Sequence, residues 1–340
     1  AYAAAGGFAS SIAQLAGGWL IGRDLLGTGW RAIYAFPVPV GVAALIAAAV
    51  LVKEIRRDAR NRERLDVAGL ILMSAALFTL CLPLAFGTEW GWPWWLILAL
   101  ASSPLFVFLF VRHQRSAERS GRTAPLVKTS LFQKRSFSFG NVMILLFYAN
   151  NAVLFMALPL YVQRELGMTP FMSGLIFTPL AIGFAVVSLW SGKAMEKIGE
   201  RILAYGCLLL GGAYGLFYAA EVSSSDAGSF FMWMPASLLA GAGMGLISAP
   251  LNAVTLKHVA HDEVGSASGI VTAGVEIAYA FGTVICGWIF FSSGGAFHPA
   301  LLLNGALLAG MLVLLRVQRM ADGRQDGGKS AVESKAVDRP

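Results

Sequence analysis

Ten stretches of nearly uninterrupted apolar residues run along the chain, at residues 2–22, 33–52, 67–86, 94–111, 138–162, 171–191, 202–220, 230–256, 266–291 and 299–315. Each is close to the roughly 20 residues that a helix rising 1.5 Å per residue needs to cross a hydrocarbon core about 30 Å thick. None alternates apolar and polar positions with a period of two, so strands of an outer-membrane barrel are excluded. The pattern predicts an all-α polytopic membrane protein with about ten transmembrane helices. Composition agrees: 57% of the 340 residues are hydrophobic and 13% charged, and the mean hydropathy is +0.67. That leaves too little charge to cover a soluble domain.

The polar connections divide the runs. The charged loop at 53–66 and the long basic stretch at 112–137 separate them into two, two and six, and a Gly- and charge-rich tail at 319–340 is expected to be disordered. Lys and Arg collect in alternate connections: six in 53–66, seven in 112–137, three in 191–201, Lys257, and six from Arg316 onward. Of the 26 basic residues, the opposite connections hold only Arg23, Arg31 and Arg164. By the positive-inside rule the basic side, with the C-terminus, is cytoplasmic. The net charge of +7 is therefore a matter of orientation and of contact with anionic membrane lipids, not of nucleic acid. Trp90, Trp92, Trp94 and Trp95, between the third and fourth runs, suit an outer interfacial belt. Arg23 with Asp24 reads as an external interface pair, and His258 and His261 belong to a cytoplasmic loop. The chain opens inside the first run without Met or a basic leader, so a signal peptide is not expected and a fragment of a longer protein is.

Within the ten runs the only Asp, Glu, Lys or Arg is Glu276. It lies ten residues from Ser266 and fifteen from Phe291, hence about 15 Å into the core, near the midplane. Ionisable groups at that depth are costly and mark ion or substrate paths, because burial disfavours the charged carboxylate and favours proton uptake. Thr272, Glu276, Tyr279 and Thr283 recur at helical spacing and form one polar stripe, expected to face a cavity. The competing reading is a neutral Glu hydrogen-bonded between helices. Tyr148 and Asn151 share a face with Phe155, with Asn150 adjacent, and Ser248, Asn252 and Thr255 form a stripe on the preceding run. Both groups are candidates for a cavity wall or, equally, for interhelical hydrogen bonds. Gly241 with Gly245 and Gly265 with Gly269 have the spacing of close helix packing, and Pro159, Pro179 and Pro250 are expected to bend their helices. Cys81, Cys207 and Cys286 are far apart within runs, so no metal site is expected. No phosphate-binding loop and no nucleophile triad or zinc-protease motif is present, so neither a cofactor nor an enzymatic activity is expected.

The segment Gly192, Glu196, Lys197, Gly199, Arg201, of the form G-x-x-x-[DE]-[RK]-x-G-x-R, resembles the loop motif of the major facilitator superfamily. Glycines there permit a tight turn, while a carboxylate beside cations can pair with helix ends. AQLAGGWLIG followed by GWRAIYAFPVPVG, RLDVAGLILMSAAL with the Trp-rich turn, and VAHDEVGSASGIVTAGVEIAYAFG resemble the fourteen-span drug/proton antiporter branch. The antiporter signature GxxxGPxxGG aligns with Ala9, Ala13, Gln14, Gly17 and Gly18, so two glycines are Ala and the proline is Gln14. The resemblance implies a chain without the branch's first four spans. Residues 1–52 would close an N-terminal bundle, 53–112 form the extra central hairpin, 113–135 a basic linker and 136–318 a C-terminal six-helix bundle. It further implies proton-coupled export of an amphipathic small-molecule substrate across a bacterial inner membrane, with protons as a partner; Glu276, from its depth, is the candidate for proton coupling or for balancing the substrate's charge. A truncated, non-transporting remnant or membrane interaction partner, and a transporter of a lipid, sugar or siderophore, remain open alternatives.

Overall fold

The computed structural model describes residues 13, 16–20, 31–35, 37–51, 66–87, 90–120, 126–127, 129–223, 227–257, 259–260 and 263–337. Among the described residues all regular structure is helical, and nine helices are long and apolar enough to cross a membrane. The long helices are α1 (Pro37–Leu51), whose membrane-length span begins at Ile33, α2 (Val67–Phe86), α3 (Trp94–Ser120), α4 (Arg135–Arg164), α5 (Pro170–Ile198), α6 (Arg201–Ser223), α7 (Trp233–Leu256), α8 (Val264–Ser292) and α9 (His298–Val337). The expected run at 2–22 falls mostly outside the described residues, as do Gln14, the Arg23–Asp24 pair, His258 and His261. Gly17 and Gly18 are described and helical, and a Cβ on Gly18 would meet the Pro170 carbonyl oxygen at 2.7 Å.

Local chemistry sets the helix ends. The Asp66 carboxylate accepts the Gly69 N–H at 2.8 Å and caps α2. Thr169 accepts the Met172 N–H at 3.3 Å, with Pro170 in the first turn of α5, where its missing N–H costs nothing. Helix α5 stops at Gly199, whose φ of +66° suits a residue without a Cβ, and α6 begins at Arg201. The Glu221 carboxylate caps α9 from α6, accepting the N–H groups of Phe297 at 2.9 Å and His298 at 3.1 Å. Pro159, Pro179 and Pro250 lie inside α4, α5 and α7.

Helices α4 to α9 pack together, with α7 against α5, α6 and α4, and α4 against α8 and α9. Small residues allow this proximity. A Cβ on Gly241 would overlap the Leu180 carbonyl oxygen, and one on Gly245 would lie 2.8 Å from the Phe184 carbonyl oxygen, so the α5–α7 backbones meet where the Gly spacing predicts. The pair Gly265 and Gly269 departs from that expectation: among the described residues no neighbouring helix comes within 4 Å of a Cβ placed on either. At one end of the bundle, Tyr161, Phe217, Trp233 and Phe297 form a buried aromatic group with ring centroids 5.5 to 6.1 Å apart.

Helices α2 and α3 pack chiefly on each other, with a narrow contact to α8. Trp90 and Trp95 lie at the turn between them, and Trp90 stacks on Phe86 at 4.9 Å. No residue of α1 is buried. Helix α9 continues through the polar tail to Val337, where composition suggests disorder. Gly323, Gly327 and Gly328 lie in this stretch, so helix propensity alone does not account for the extension.

Candidate functional site

Helix α8 has two unlike faces. Ala267, Val271, Ala278, Gly282 and Cys286 are buried. A Cβ on Gly282 would approach the Ala149 carbonyl oxygen to 2.6 Å, and the Cys286 thiol lies 3.5 Å from the Val153 carbonyl oxygen, so this face seats against α4. The other face carries Gly265, Gly269, Thr272, Glu276 and Thr283, all exposed. The stripe read from sequence is therefore a real surface of α8, turned away from α4. The expected burial of Glu276 is not supplied by the described residues of this chain. Its face bears no packed helix among them, because the neighbours of α8 occupy the opposite register.

Tyr279, half-buried, flanks this face and approaches Tyr148 of α4 with ring centroids 5.7 Å apart. Thr272 donates to the Ser268 carbonyl at 2.9 Å. On α4, Phe155 stacks on Phe177 of α5 at 5.3 Å. Asn151, on the same face, is buried, and its side-chain oxygen has no hydrogen-bond partner among the described residues.

Asn150 goes elsewhere. It is fully buried, donates to the Asn304 carbonyl of α9 at 3.0 Å and accepts from the Tyr214 hydroxyl of α6. It thus fastens three helices rather than lining an open wall. The reason is phase: at 100° per residue, two steps carry Asn150 to the far side of α4 from Tyr148. Asn252 donates to the Ser248 carbonyl at 3.0 Å on its own helix. Thr255 is buried against Gly140, where a Cβ would overlap the threonine hydroxyl. That stripe on α7 is partly a packing seam.

Gly192, Glu196, Lys197, Gly199 and Arg201 are all exposed, but only Gly199 lies in the turn: Gly192, Glu196 and Lys197 belong to the last two turns of α5, and Arg201 opens α6. Cys81, Cys207 and Cys286 are free thiols, and among the described residues no group of three His, Cys, Asp or Glu could hold a metal ion.

One polar constellation escaped the sequence reading. Asp66, 6% exposed, accepts the Gln114 side-chain amide at 2.7 Å and lies 2.7 Å from His113 Nε2, while the Gln114 oxygen accepts the Val127 N–H at 3.1 Å. Burial alone would push the Asp66 carboxyl up, but the donors from Gly69, His113 and Gln114 together hold it below its usual range. The clasp joins both hairpin helices to the linker. Farther along that linker, Lys134 pairs with Glu263 before α8 at 2.7 Å. The only sequence cue was Asp66 before an apolar run, an ordinary cap signal.

Residues 140–338 match the family profile described as the Major Facilitator Superfamily. Several curated proteins are similar over most of the chain. A probable actinorhodin transporter of Streptomyces coelicolor is 30% identical over 309 residues, 90% of this chain and 53% of that protein. The tetracenomycin C resistance and export protein of Streptomyces glaucescens is 28% identical over 84% of the chain and 52% of its own length. The multidrug transporter protein MdtP of Bacillus subtilis is 26% identical over 85% and 51% respectively. The chain spans about half the length of these relatives.

Proposed function

This chain belongs to the major facilitator superfamily, and on that premise we propose that it acts in proton-coupled export of amphipathic small molecules by alternating access. Relatives named as an antibiotic transporter, an antibiotic export protein and a multidrug transporter support the substrate class. In this proposal the chain corresponds to the last ten spans of the fourteen-span antiporter branch. Residues 1–52 end one bundle, 53–112 form the central hairpin, 113–135 the linker and 136–318 the second bundle, with the C-terminus cytoplasmic.

The observation that carries the proposal is the lone carboxylate of the apolar runs on the polar face of α8, with Thr272, Thr283 and Tyr279 beside it and Tyr148 across from α4. A carboxylate at midplane depth can hold a proton or neutralise a cation, but not both at once. Facing one side protonated and the other side deprotonated, Glu276 would exchange the two. Asn151, with its unpartnered oxygen, and Phe155 lie on the α4 face that would contact an aromatic ligand. Gly17 and Gly18, with Gln14, would contribute the antiporter-signature helix, and the Gly192–Arg201 loop would set the conformational balance.

Cells expressing the natural gene should accumulate less ethidium than cells lacking it, and Glu276→Gln should remove that difference. Unchanged ethidium efflux in Glu276→Gln cells would refute the role given to this carboxylate. The open face of α8 also favours a second reading, a non-transporting membrane partner. Efflux by the 340-residue chain alone in proteoliposomes would dismiss it.

A further inference from the structure

A cavity of about 530 Å³ separates the α2–α3 hairpin from α4 and α8, within the roughly 300–1,000 Å³ typical of small-molecule sites. Met73, Leu80, Phe110, Leu145, Ile270 and Ile277 are among the apolar side chains that line it. Its polar lining is Gln114, Asn141 and Arg115. Gln114 is already committed to Asp66 and the Val127 N–H, and the Asn141 amide donates to the Phe137 carbonyl. Arg115, exposed at the end of the cavity, is the charged group and the main hydrogen-bond donor left to a ligand. No carboxylate belongs to the lining, so the site is unsuited to a cation. It is also separate from the Glu276 stripe, because α8 turns Ile270, Ala273, Gly274 and Ile277 toward the hairpin and Thr272, Glu276 and Thr283 elsewhere.

We propose that this cavity binds one acyl chain of an anionic phospholipid, whose phosphate is held by Arg115. Three features fit that occupant. Arg115 follows the last apolar residue of its run, Val111, by four positions, roughly 6 Å along α3, which puts it at headgroup level. Leu80, at the other end of the lining, is fourteen residues from Asp66 along α2, roughly 21 Å, which passes the midplane of a core about 30 Å thick and leaves depth for a whole lipid tail. Arg112 and Arg119 share the α3 face with Arg115 and border an adjoining groove with Val107 and Val111. This makes a cationic rim beside an apolar slot, the chemistry that retains acidic headgroups between membrane helices. A lodged chain would tie the hairpin to α8, which it otherwise touches only narrowly.

The test is native mass spectrometry of the full 340-residue chain in detergent supplied with equimolar dioleoyl phosphatidylglycerol and phosphatidylcholine. The wild type should retain one phosphatidylglycerol. Arg115→Gln should lower the preference for phosphatidylglycerol about fivefold, the effect of one interfacial cation. Gly274→Leu should lose both lipids. A Cβ on Gly274 meets Asn141 Oδ1 and Leu145 Cδ2 at an ordinary 3.9 Å, so the added bulk grows into the void. Ala273→Phe is the second filled variant, and circular dichroism monitors folding of each. Equal retention of the two lipids by the wild type would overturn the proposal. So would wild-type lipid retention in a folded filled variant, or displacement of the lipid by tetraphenylphosphonium. Because Arg115 is exposed, the Arg115→Gln arm decides the headgroup claim even if both filled variants misfold: an unchanged preference rejects it.

Discussion

Asp66 satisfies a helix cap, a buried amide and a histidine at once, so its removal strands the Gln114 amide in a fully buried position. Asp66→Ala should destabilise the hairpin by about 2–3 kcal/mol, combining a lost cap with a charge-assisted hydrogen bond. Because the folded carboxyl is held below its ordinary range, this stabilisation is present above that range and disappears as pH falls through the lowered value. Denaturation of wild type and Asp66→Ala at pH 7 and at pH 3 should show a gap that narrows in acid, and a constant gap would refute the linkage. Asn150 makes a second residue-scale case. Asn150→Leu leaves the Tyr214 hydroxyl without its buried acceptor and should cost about 1–3 kcal/mol while leaving the pH dependence of efflux intact. A shifted pH profile would return Asn150 to the transport path. The sequence placed Asn151 on the face of Tyr148 and Phe155 with Asn150 beside it; that Asn150 is spent on Asn304 and Tyr214 depends on which helices pack there, which the sequence does not show. Burial of Glu276 was not legible at all, since one chain's pattern does not say what covers the face of α8.

Among elements, the seam between α5 and α7 is the most exacting contact. Gly241→Leu would drive a side chain into the Leu180 backbone and should cost about 3 kcal/mol, the upper end of ordinary overpacking. A Cβ on Gly269 meets nothing within 4 Å among the described residues, so Gly269→Leu should leave stability nearly unchanged, although under the transport proposal it would obstruct the α8 face and reduce efflux. Thermal denaturation of the purified chain compares the two, and equal losses would contradict the packing described for α8. Both glycine pairs had the same spacing in sequence; only the register of α8 on α4 distinguishes them. The helices themselves were readable because each apolar run matches a membrane crossing. Their ends were less so. Helix α3 runs to Ser120 and α9 to Val337, well past 111 and 315, because the end of an apolar run marks the edge of hydrocarbon and not the last hydrogen bond of a helix.

At the scale of the whole molecule, membership in the superfamily rests on residues 140–338, the region in which α4 to α9 pack as one bundle. The motif at Gly192 to Arg201 pointed there from sequence alone, and Gly199, at the end of α5, takes the positive φ that a glycine allows. Proton exchange at Glu276 is the claim on which the transport proposal stands. Its most direct test uses everted membrane vesicles from cells expressing the natural gene, energised to an acidic interior and followed with acridine orange. Adding ethidium should release protons from wild-type vesicles and not from Glu276→Gln vesicles. Equal, substrate-dependent proton release from both would contradict the assignment.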